Sequence, residues 1–65
     1  MQRWEYRIVF RSEYAGGWFC DGKPAEEYAH LDDPEVLRRL GEEGWELVAV
    51  EGYTYFFKRP LPPGA

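Results

Sequence analysis

The chain has few of the residues that small proteins use to build metal sites or covalent braces. Its 65 residues include one cysteine, Cys20, and one histidine, His30. A single cysteine cannot form a disulfide within the chain, and this pair cannot complete a four-ligand zinc site. We therefore predict no cofactor and no metal. The remaining way to stabilise so short a chain is association with a second copy.

The chain also lacks the charge and hydropathy patterns of nucleic-acid-binding and membrane proteins. Its net charge is −4, whereas nucleic-acid binders are usually basic. No apolar run approaches the roughly 20 residues that span a bilayer, and the start of the chain has no apolar segment of a signal peptide. We expect a cytoplasmic protein with no membrane partner, for which nucleic acid is a disfavoured partner.

Aromatic residues are abundant: three tryptophans, five tyrosines and four phenylalanines. Each of these side chains can bury roughly 150–250 Å². A monomer with three strands and one helix has too little interior for this ring surface. We therefore predict that part of it lies in a subunit interface, in a ligand groove, or half exposed.

Hydrophobic periodicity predicts three main strands. Alternation over Trp4–Arg11 favours the first, and residues 45–50 and 53–59 favour the second and third, joined as a hairpin at Glu51-Gly52. Between the first two, the glycine turns at Gly16-Gly17 and Asp21-Gly22 flank a brief strand, with the first strand running on to about Tyr14. Residues 25–30 are expected to form one irregular helical turn.

One helix is predicted between Asp32 and Gly44. Asp32 or Asp33 can cap its start, Pro34 is tolerated in the first turn, and Glu35 would complete a capping box with Asp32. Gly44 suits the left-handed residue that closes a helix. An arginine, such as Arg7 or Arg11 or one from a partner, is expected to offset the two glutamates near the helix end.

These elements predict an α+β fold with a three-stranded sheet and one helix packed on one face. A short extra strand from residues 14–20 would make the sheet four-stranded. Residues 1–60 would form a single domain, with residues 61–65 as an extended C-terminal tail. The expected strand order is first–third–second, with the helix as a right-handed crossover. A meander with the first strand beside the second is the alternative.

The alternation divides the strand residues between two faces. The face expected beneath Val36, Leu37 and Leu40 collects Trp4, Tyr6, Ile8, Phe10, Trp45, Leu47, Ala49, Tyr53, Tyr55 and Phe57. Trp18 and Phe19 are expected to complete its cover, with a partner-binding tip as the alternative. The other face has an apolar centre framed by charges, formed by Val9, Val48, Val50 and Phe56. An apolar centre with a polar rim is typical of an interface, so these four residues form the candidate self-association face. An ordinary solvated face is the alternative.

Three segments resemble a known family. They are Trp4-Glu5-Tyr6, the stretch from Gly41 to Val48 that contains Gly-x-x-Gly-Trp-Glu-Leu, and the end of the last strand with Phe57-Lys58-Arg59. Together they resemble a family of small, mostly bacterial domains of unknown function. The resemblance covers roughly residues 3–11 and 36–60. It implies a small cytosolic α+β domain and carries no activity, so it assigns no functional residue.

The residues that could carry chemistry are few. Glu27 and His30 have the Glu-x-x-His spacing of half a two-metal site, but further carboxylates on rigid helices are missing, so an exposed loop histidine is expected. Cys20 has no base or cation beside it in sequence, which a catalytic thiolate requires. We therefore expect no enzyme activity.

The predicted function is a non-enzymatic, self-associating module for structure or protein interaction, acting as a homodimer or larger oligomer and, as a further option, with another protein. A small-molecule binder with an aromatic groove is the alternative. A single-stranded nucleic-acid binder, with bases stacked on the sheet aromatics, is less favoured because the net charge is negative.

Overall fold

The computed structural model describes residues 1–12 and 17–62, and these form a mostly β structure. In chain order the elements are β1 (Trp4–Ser12), β2 (Gly17–Cys20), β3 (Lys23–Pro24), a one-turn 3-10 helix (Glu26–Tyr28), α1 (Asp33–Glu42), β4 (Glu46–Glu51) and β5 (Thr54–Pro60). All strands pair antiparallel in one sheet of order β3-β2-β1-β5-β4.

The predicted α+β fold with three or four strands is therefore wrong, because the sheet has five strands and only one short helix. β2 lies within the short extra strand that the sequence predicts, and β3, which forms a tight hairpin with it, is the strand that the sequence does not predict. Cys20 pairs with Lys23, and the turn between them places Asp21 at φ 52° and Gly22 at φ 84°. Two positive φ values suit a two-residue hairpin turn. The turn was foreseen, but the two residues of β3 are too few to show any alternation.

The order of the main strands is the predicted first–third–second, because β5 lies between β1 and β4. The alternative meander is wrong. Both β1 and β4 run antiparallel to β5, so they run parallel to each other. Parallel strands need a long connection, which here contains the β2–β3 hairpin, the 3-10 helix and α1.

Helix α1 begins and ends where the sequence predicts, but its first turn is not capped by a side chain. The carbonyl of Asp32 accepts a hydrogen bond from the Val36 N–H at 3.1 Å, whereas the Asp32 carboxylate makes no capping bond. Glu35 pairs instead with Arg38, three residues along, at 2.6 Å. The predicted capping box is therefore wrong.

The end of α1 has a glycine closure and a cation, as expected. Gly44 adopts φ 93°, the left-handed conformation that terminates helices. The Arg59 guanidinium donates to the Glu43 carbonyl at 3.0 Å and so neutralises the negative end of the helix. The arginine comes from β5 and not from the predicted Arg7 or Arg11.

The predicted assignment of β1 to the two faces is inverted. Val9 pairs with Tyr55 and Arg7 with Phe57, and residues that pair directly across strands share a face. Val9 is 0% exposed and Phe57 2% exposed, and both belong to the core with Val36 and Leu40 of α1. The even-numbered residues Trp4, Tyr6, Ile8 and Phe10 therefore lie on the side away from α1.

The core on the helix side is closed by the β2–β3 region. It consists of Val9, Trp18, Ala25, Tyr28, Val36, Leu40, Trp45 and Phe57. The indole N–H of Trp18 donates to the Leu31 carbonyl at 3.2 Å, so Trp18 acts as the predicted cover. Phe19 points to the opposite face because neighbouring strand residues alternate, so the prediction is wrong for Phe19.

Three predictions extend beyond the residues that the structure describes. The Leu61 N–H donates to the Arg3 carbonyl at 2.9 Å. The run of β1 to Tyr14, the turn at Gly16 and the last three residues of the tail lie outside the described residues. The single domain of residues 1–60 stays a prediction. In the part of the chain that is described, no helix has the length and apolar content needed to cross a membrane.

Candidate functional site

The sheet face away from α1, here called the outer face, carries a row of exposed and half-exposed apolar side chains. It is formed by Trp4, Tyr6, Ile8 and Phe10 of β1, Phe19 of β2 and Phe56 of β5. The pairs Ile8–Phe56 and Phe10–Phe19 align these side chains across three adjacent strands. Tyr6 is 69% exposed, Ile8 43% and Trp4 37%, so the middle of this face is open to water.

The aromatic rings of the outer face are ordered by contacts with one another and with one lysine. The rings of Phe10 and Phe19 stack with centroids 5.2 Å apart and planes 9° apart. The Lys58 ammonium lies 4.2 Å from the Trp4 ring centroid and 3.7 Å from the Glu46 carboxylate. The face is therefore preorganised, with its charges at the β4 side.

The size of the outer face suits a small protein interface. Four strands about 4.8 Å apart and about seven residues long enclose an area on the order of 400 Å². Exposed apolar patches of a few hundred Å² on small proteins are often functional. Two such faces in contact would bury roughly 800 Å², at the low end of protein interfaces, where weak associations lie.

The structure does not bring the four residues of the predicted self-association face onto one surface. Val9 lies in the core under α1, and Phe56 lies on the outer face. Val48 and Val50 are exposed on β4, where Val50 pairs with Tyr55 and so faces the helix side. A bulge between Leu47 and Ala49 shifts the phase of this strand, which explains why simple alternation failed.

The sequence places Trp4, Tyr6, Ile8 and Phe10 on the helix-facing side, because charged residues alternate with them in β1, and it expects Phe19 in the cover of that side. In the structure, these charged residues of β1 lie on the side of the sheet that carries α1. The guanidinium carbons of Arg7 and Arg59 lie 4.5 and 4.3 Å from the Trp45 ring centroid. Arginine can pack its stem and planar head on an aromatic ring while keeping its charge. No signal in the sequence distinguishes such an arginine from a solvated one, because the contact depends on strand register.

A polar cluster attaches the start of α1 to the sheet. The Tyr55 hydroxyl donates to the Asp33 carboxylate, and Arg11 pairs with the same carboxylate at 3.0 Å. The hydrogen bond to Asp33, followed by burial, raises the pKa of Tyr55 above its ordinary value. These contacts fix the helix over the inner face, which leaves the outer face uncovered by it.

The two residues singled out for potential catalytic chemistry are Cys20 in β2 and His30 after the 3-10 helix. Cys20 is half-buried, and burial raises the pKa of its thiol more than the nearby Arg7 lowers it. The thiol is therefore protonated at neutral pH, whereas a nucleophile needs the thiolate. His30 is exposed after the 3-10 helix. Across residues 1–12 and 17–62 no three histidine, cysteine, aspartate or glutamate side chains form a metal-binding group.

The surface depressions in the described parts of the chain include two with different linings. One, of about 270 Å³, lies between β2, β3 and the 3-10 helix and is lined mainly by Trp18, Phe19, Pro24 and Ala25. The other, of about 590 Å³, is a wide polar groove along α1 between Glu35, Arg39, Glu42 and Glu43. Small-molecule sites usually enclose about 300–1,000 Å³ and are mostly apolar, so neither groove matches them fully.

The fold and its surfaces define a small β-sheet domain with one face under a helix and one face open. Residues 4–60 match the family model described as "Domain of unknown function (DUF4177)". The match spans most of the chain, and the protein belongs to this family. Neither the curated proteins nor the solved structures gave a match.

Proposed function

We propose that the protein is a non-enzymatic, self-associating module whose copies meet through their outer faces. The observation that carries the proposal is the exposure of Tyr6 and Ile8 in the middle of a face that also bears four further aromatic side chains. Water contact with such a patch is unfavourable, and a second copy offers a surface of the same shape and chemistry. Two sheets packed in this way would form a sandwich about 10 Å between layers.

The size of the face sets the expected strength of this association. An interface near the lower size limit, without buried ion pairs to add affinity, supports a dimer in the micromolar range, which corresponds to about 8 kcal/mol. The short length of the chain gives a physical reason for association. A domain of this length buries only about 60% of the surface of its unfolded chain, so burial against a second copy adds stability that one copy lacks.

The charge distribution supports a protein partner over single-stranded nucleic acid. A nucleic-acid backbone would need basic residues beside the aromatic rings, but Arg7, Arg11 and Arg59 lie on the helix side and pair with carboxylates. Lys58 is the one that stands beside the aromatic rings of the outer face. Bases that stack on aromatic rings bind weakly when no row of basic side chains contacts the phosphate backbone, so nucleic-acid binding is the less favoured hypothesis.

The test is the mass of the protein in solution as a function of concentration, measured by light scattering after size exclusion and by sedimentation. We expect a dimer at high micromolar concentration that dissociates on dilution. Ile8→Lys places a charge in the middle of the outer face and should give a monomer. Val50→Lys introduces the same charge at a similarly exposed position that faces the helix side, and it should leave the dimer intact.

Two results would contradict the proposal. The wild-type protein could remain monomeric at every concentration, or both lysine variants could have the same effect on the mass. Circular dichroism of each variant shows whether the fold is kept, so that loss of the dimer is not confused with unfolding.

A second candidate function, binding of a small apolar molecule, has one observation in its favour. The depression beside Trp18 and Phe19 is mostly apolar and has aromatic walls. Thermal-shift screening against a broad metabolite panel tests this hypothesis, and the absence of any stabilisation would count against it.

A cytoplasmic location is also part of the proposal. It is supported by the single cysteine, Cys20, which cannot form a disulfide within the chain, and imaging of a tagged copy tests it.

A further inference from the structure

We propose that the outer edge of β4 binds an extended segment of another protein that carries two basic residues, as a sixth strand of the sheet. This site is separate from the outer face. Strand addition extends the sheet sideways and leaves both faces as they are, so it does not depend on the dimer proposed above.

The two edges of the sheet differ in what they offer. One edge is β3, which has two residues, and its Pro24 has no N–H to donate. The other edge is β4, whose six residues span about 20 Å and are all exposed. β4 pairs with β5 on one side, and no described strand lies on its other side. Its outward backbone groups are therefore free to pair with an added strand.

The side chains of β4 specify what kind of strand fits. Leu47, Val48 and Val50 are exposed apolar residues between Glu46 and Glu51 at the two ends. Across the sheet, β5 places Lys58 opposite Glu46 and Thr54 opposite Glu51, which are four residues apart on β5. A regular strand added along the free edge of β4 should have the same four-residue spacing between its positions opposite Glu46 and Glu51. Arginine or lysine at positions i and i+4, with β-branched residues between them, would match both glutamates.

A second copy of this chain is a poor occupant of the edge. A two-fold axis centred on β4 would pair it antiparallel with itself and place each Glu46 opposite the Glu51 of the second copy. Like charges directly opposite each other destabilise a strand pair, and this pairing contains two such contacts. Sliding the strands to separate the glutamates shortens the ladder. The charges therefore oppose self-pairing and favour a basic strand.

The bulge in β4 adds to this selectivity. It leaves Val48 without a partner on β5, so the strand carries a local twist at its centre. Flat edges of identical sequence pair with themselves easily, whereas a bulged and charged edge admits a strand that supplies the complementary charges.

The experiment uses the full chain and a fluorescein-labelled nine-residue peptide of valine, threonine and serine with arginines at its third and seventh positions. Fluorescence anisotropy measures its binding. Two further peptides serve as controls, one with glutamates in place of the arginines and one with alternate backbone nitrogens methylated. We expect binding of the first peptide and at least about tenfold weaker binding of both controls.

Charge-reversal variants test the residues. Glu46→Lys combined with Glu51→Lys should weaken binding of the arginine peptide at least about tenfold and improve binding of the glutamate peptide. Glu26→Lys combined with Glu27→Lys makes the same change of net charge at exposed positions of the 3-10 helix, which packs on β2 at the far side of the sheet. That control should change binding less than about twofold, because screened long-range charge has a small effect.

Three outcomes would overturn the inference. They are no binding of the arginine peptide, equal binding of the methylated peptide, and equal effects of the two charge-reversal variants. The first would mean that the glutamates and the bulge close the edge to all strands. The others would replace strand addition by nonspecific attraction. Amide shifts in the NMR spectrum, confined to β4 for strand addition, report the location directly.

Discussion

Replacing Val9 and Ile8 by threonine, one at a time, tests which face of the sheet is covered. The two residues are neighbours in β1 and point to opposite faces. Val9 is 0% exposed and lies in the core, whereas Ile8 is 43% exposed on the outer face. Threonine keeps the branched shape that strands favour, so the two substitutions differ mainly in where they place a hydroxyl group.

The expected magnitudes follow from burial. In Val9→Thr a hydroxyl replaces a methyl group among apolar neighbours, which costs about 1–3 kcal/mol, and we expect about 2 kcal/mol. In Ile8→Thr the hydroxyl can reach water and part of the lost apolar surface was already exposed, so the loss should stay below about 1 kcal/mol. A chain of this length has a total stability of about 3–10 kcal/mol, so the difference is large.

Urea unfolding followed by tryptophan fluorescence measures both changes. Protein concentration must be low and equal in all samples, because association raises the apparent stability of the folded state. An unchanged dependence on urea would show that each variant unfolds in the same way as the wild type. A greater loss for Ile8→Thr than for Val9→Thr would refute the assignment of the faces.

Three further predictions concern the helix and the buried titratable groups. Tyr55→Phe removes the hydrogen bond to Asp33 and should lower the free energy of unfolding by about 1–2 kcal/mol in urea titrations, while Tyr6→Phe, at an exposed hydroxyl, should change it by less than about 0.5 kcal/mol. Gly44→Ala forces a side chain into a left-handed conformation and should cost about 1–2 kcal/mol, whereas Gly41→Ala, inside α1 with open space around it, should stabilise by about 0.5–1 kcal/mol, both read from thermal unfolding. The pKa values of Cys20, Tyr28 and Tyr55 are raised in the folded state, so their contribution to stability is complete below their ordinary values of 9.0 and 10.0 and is lost as the pH rises through the raised values. The free energy of unfolding, measured along a pH series, should fall above pH 9, and in Cys20→Ala the fall should begin nearer pH 10. A free energy of unfolding that stays level to pH 11, about one unit above the ordinary tyrosine pKa, would contradict this.

Local signals in the sequence were sufficient to predict where the helix begins and ends and where one hairpin turn lies. Pro34 and Gly44 limit α1, and Asp21-Gly22 forms the predicted turn. These features depend on the backbone preferences of single residues, which act wherever the residue occurs. The strand order also follows, because the last two strands form a hairpin and the connection before them is long enough for a crossover.

The two faces could not be predicted in the same way, because they depend on register. Alternation shows that Tyr6 and Ile8 share a face, but not that this face is the one with Phe56. That follows from the pairing of Ile8 with Phe56, between strands far apart in sequence. A shift of one residue would reverse the result for the whole strand. The bulge in β4 then reverses the phase again within one strand.

The misplaced candidate site has the same cause. Strand alternation groups Val9, Val48, Val50 and Phe56 with charged residues on the face expected to lie away from the helix. Arg7 and Arg59 instead lie against the ring of Trp45, on the covered side. Polarity alone did not distinguish a solvated arginine from one packed on an indole, since both keep their charge.

Pro24 has a consequence for how far any strand-mediated contact can spread. Because Pro24 blocks the β3 edge of the sheet, a molecule can accept an added strand at β4 but cannot add its own β3 edge to another sheet. Growth in one direction therefore stops after a single step. A protein with this much exposed ring surface and two open ends would be at risk of forming fibrils, and a single imino acid removes the second end.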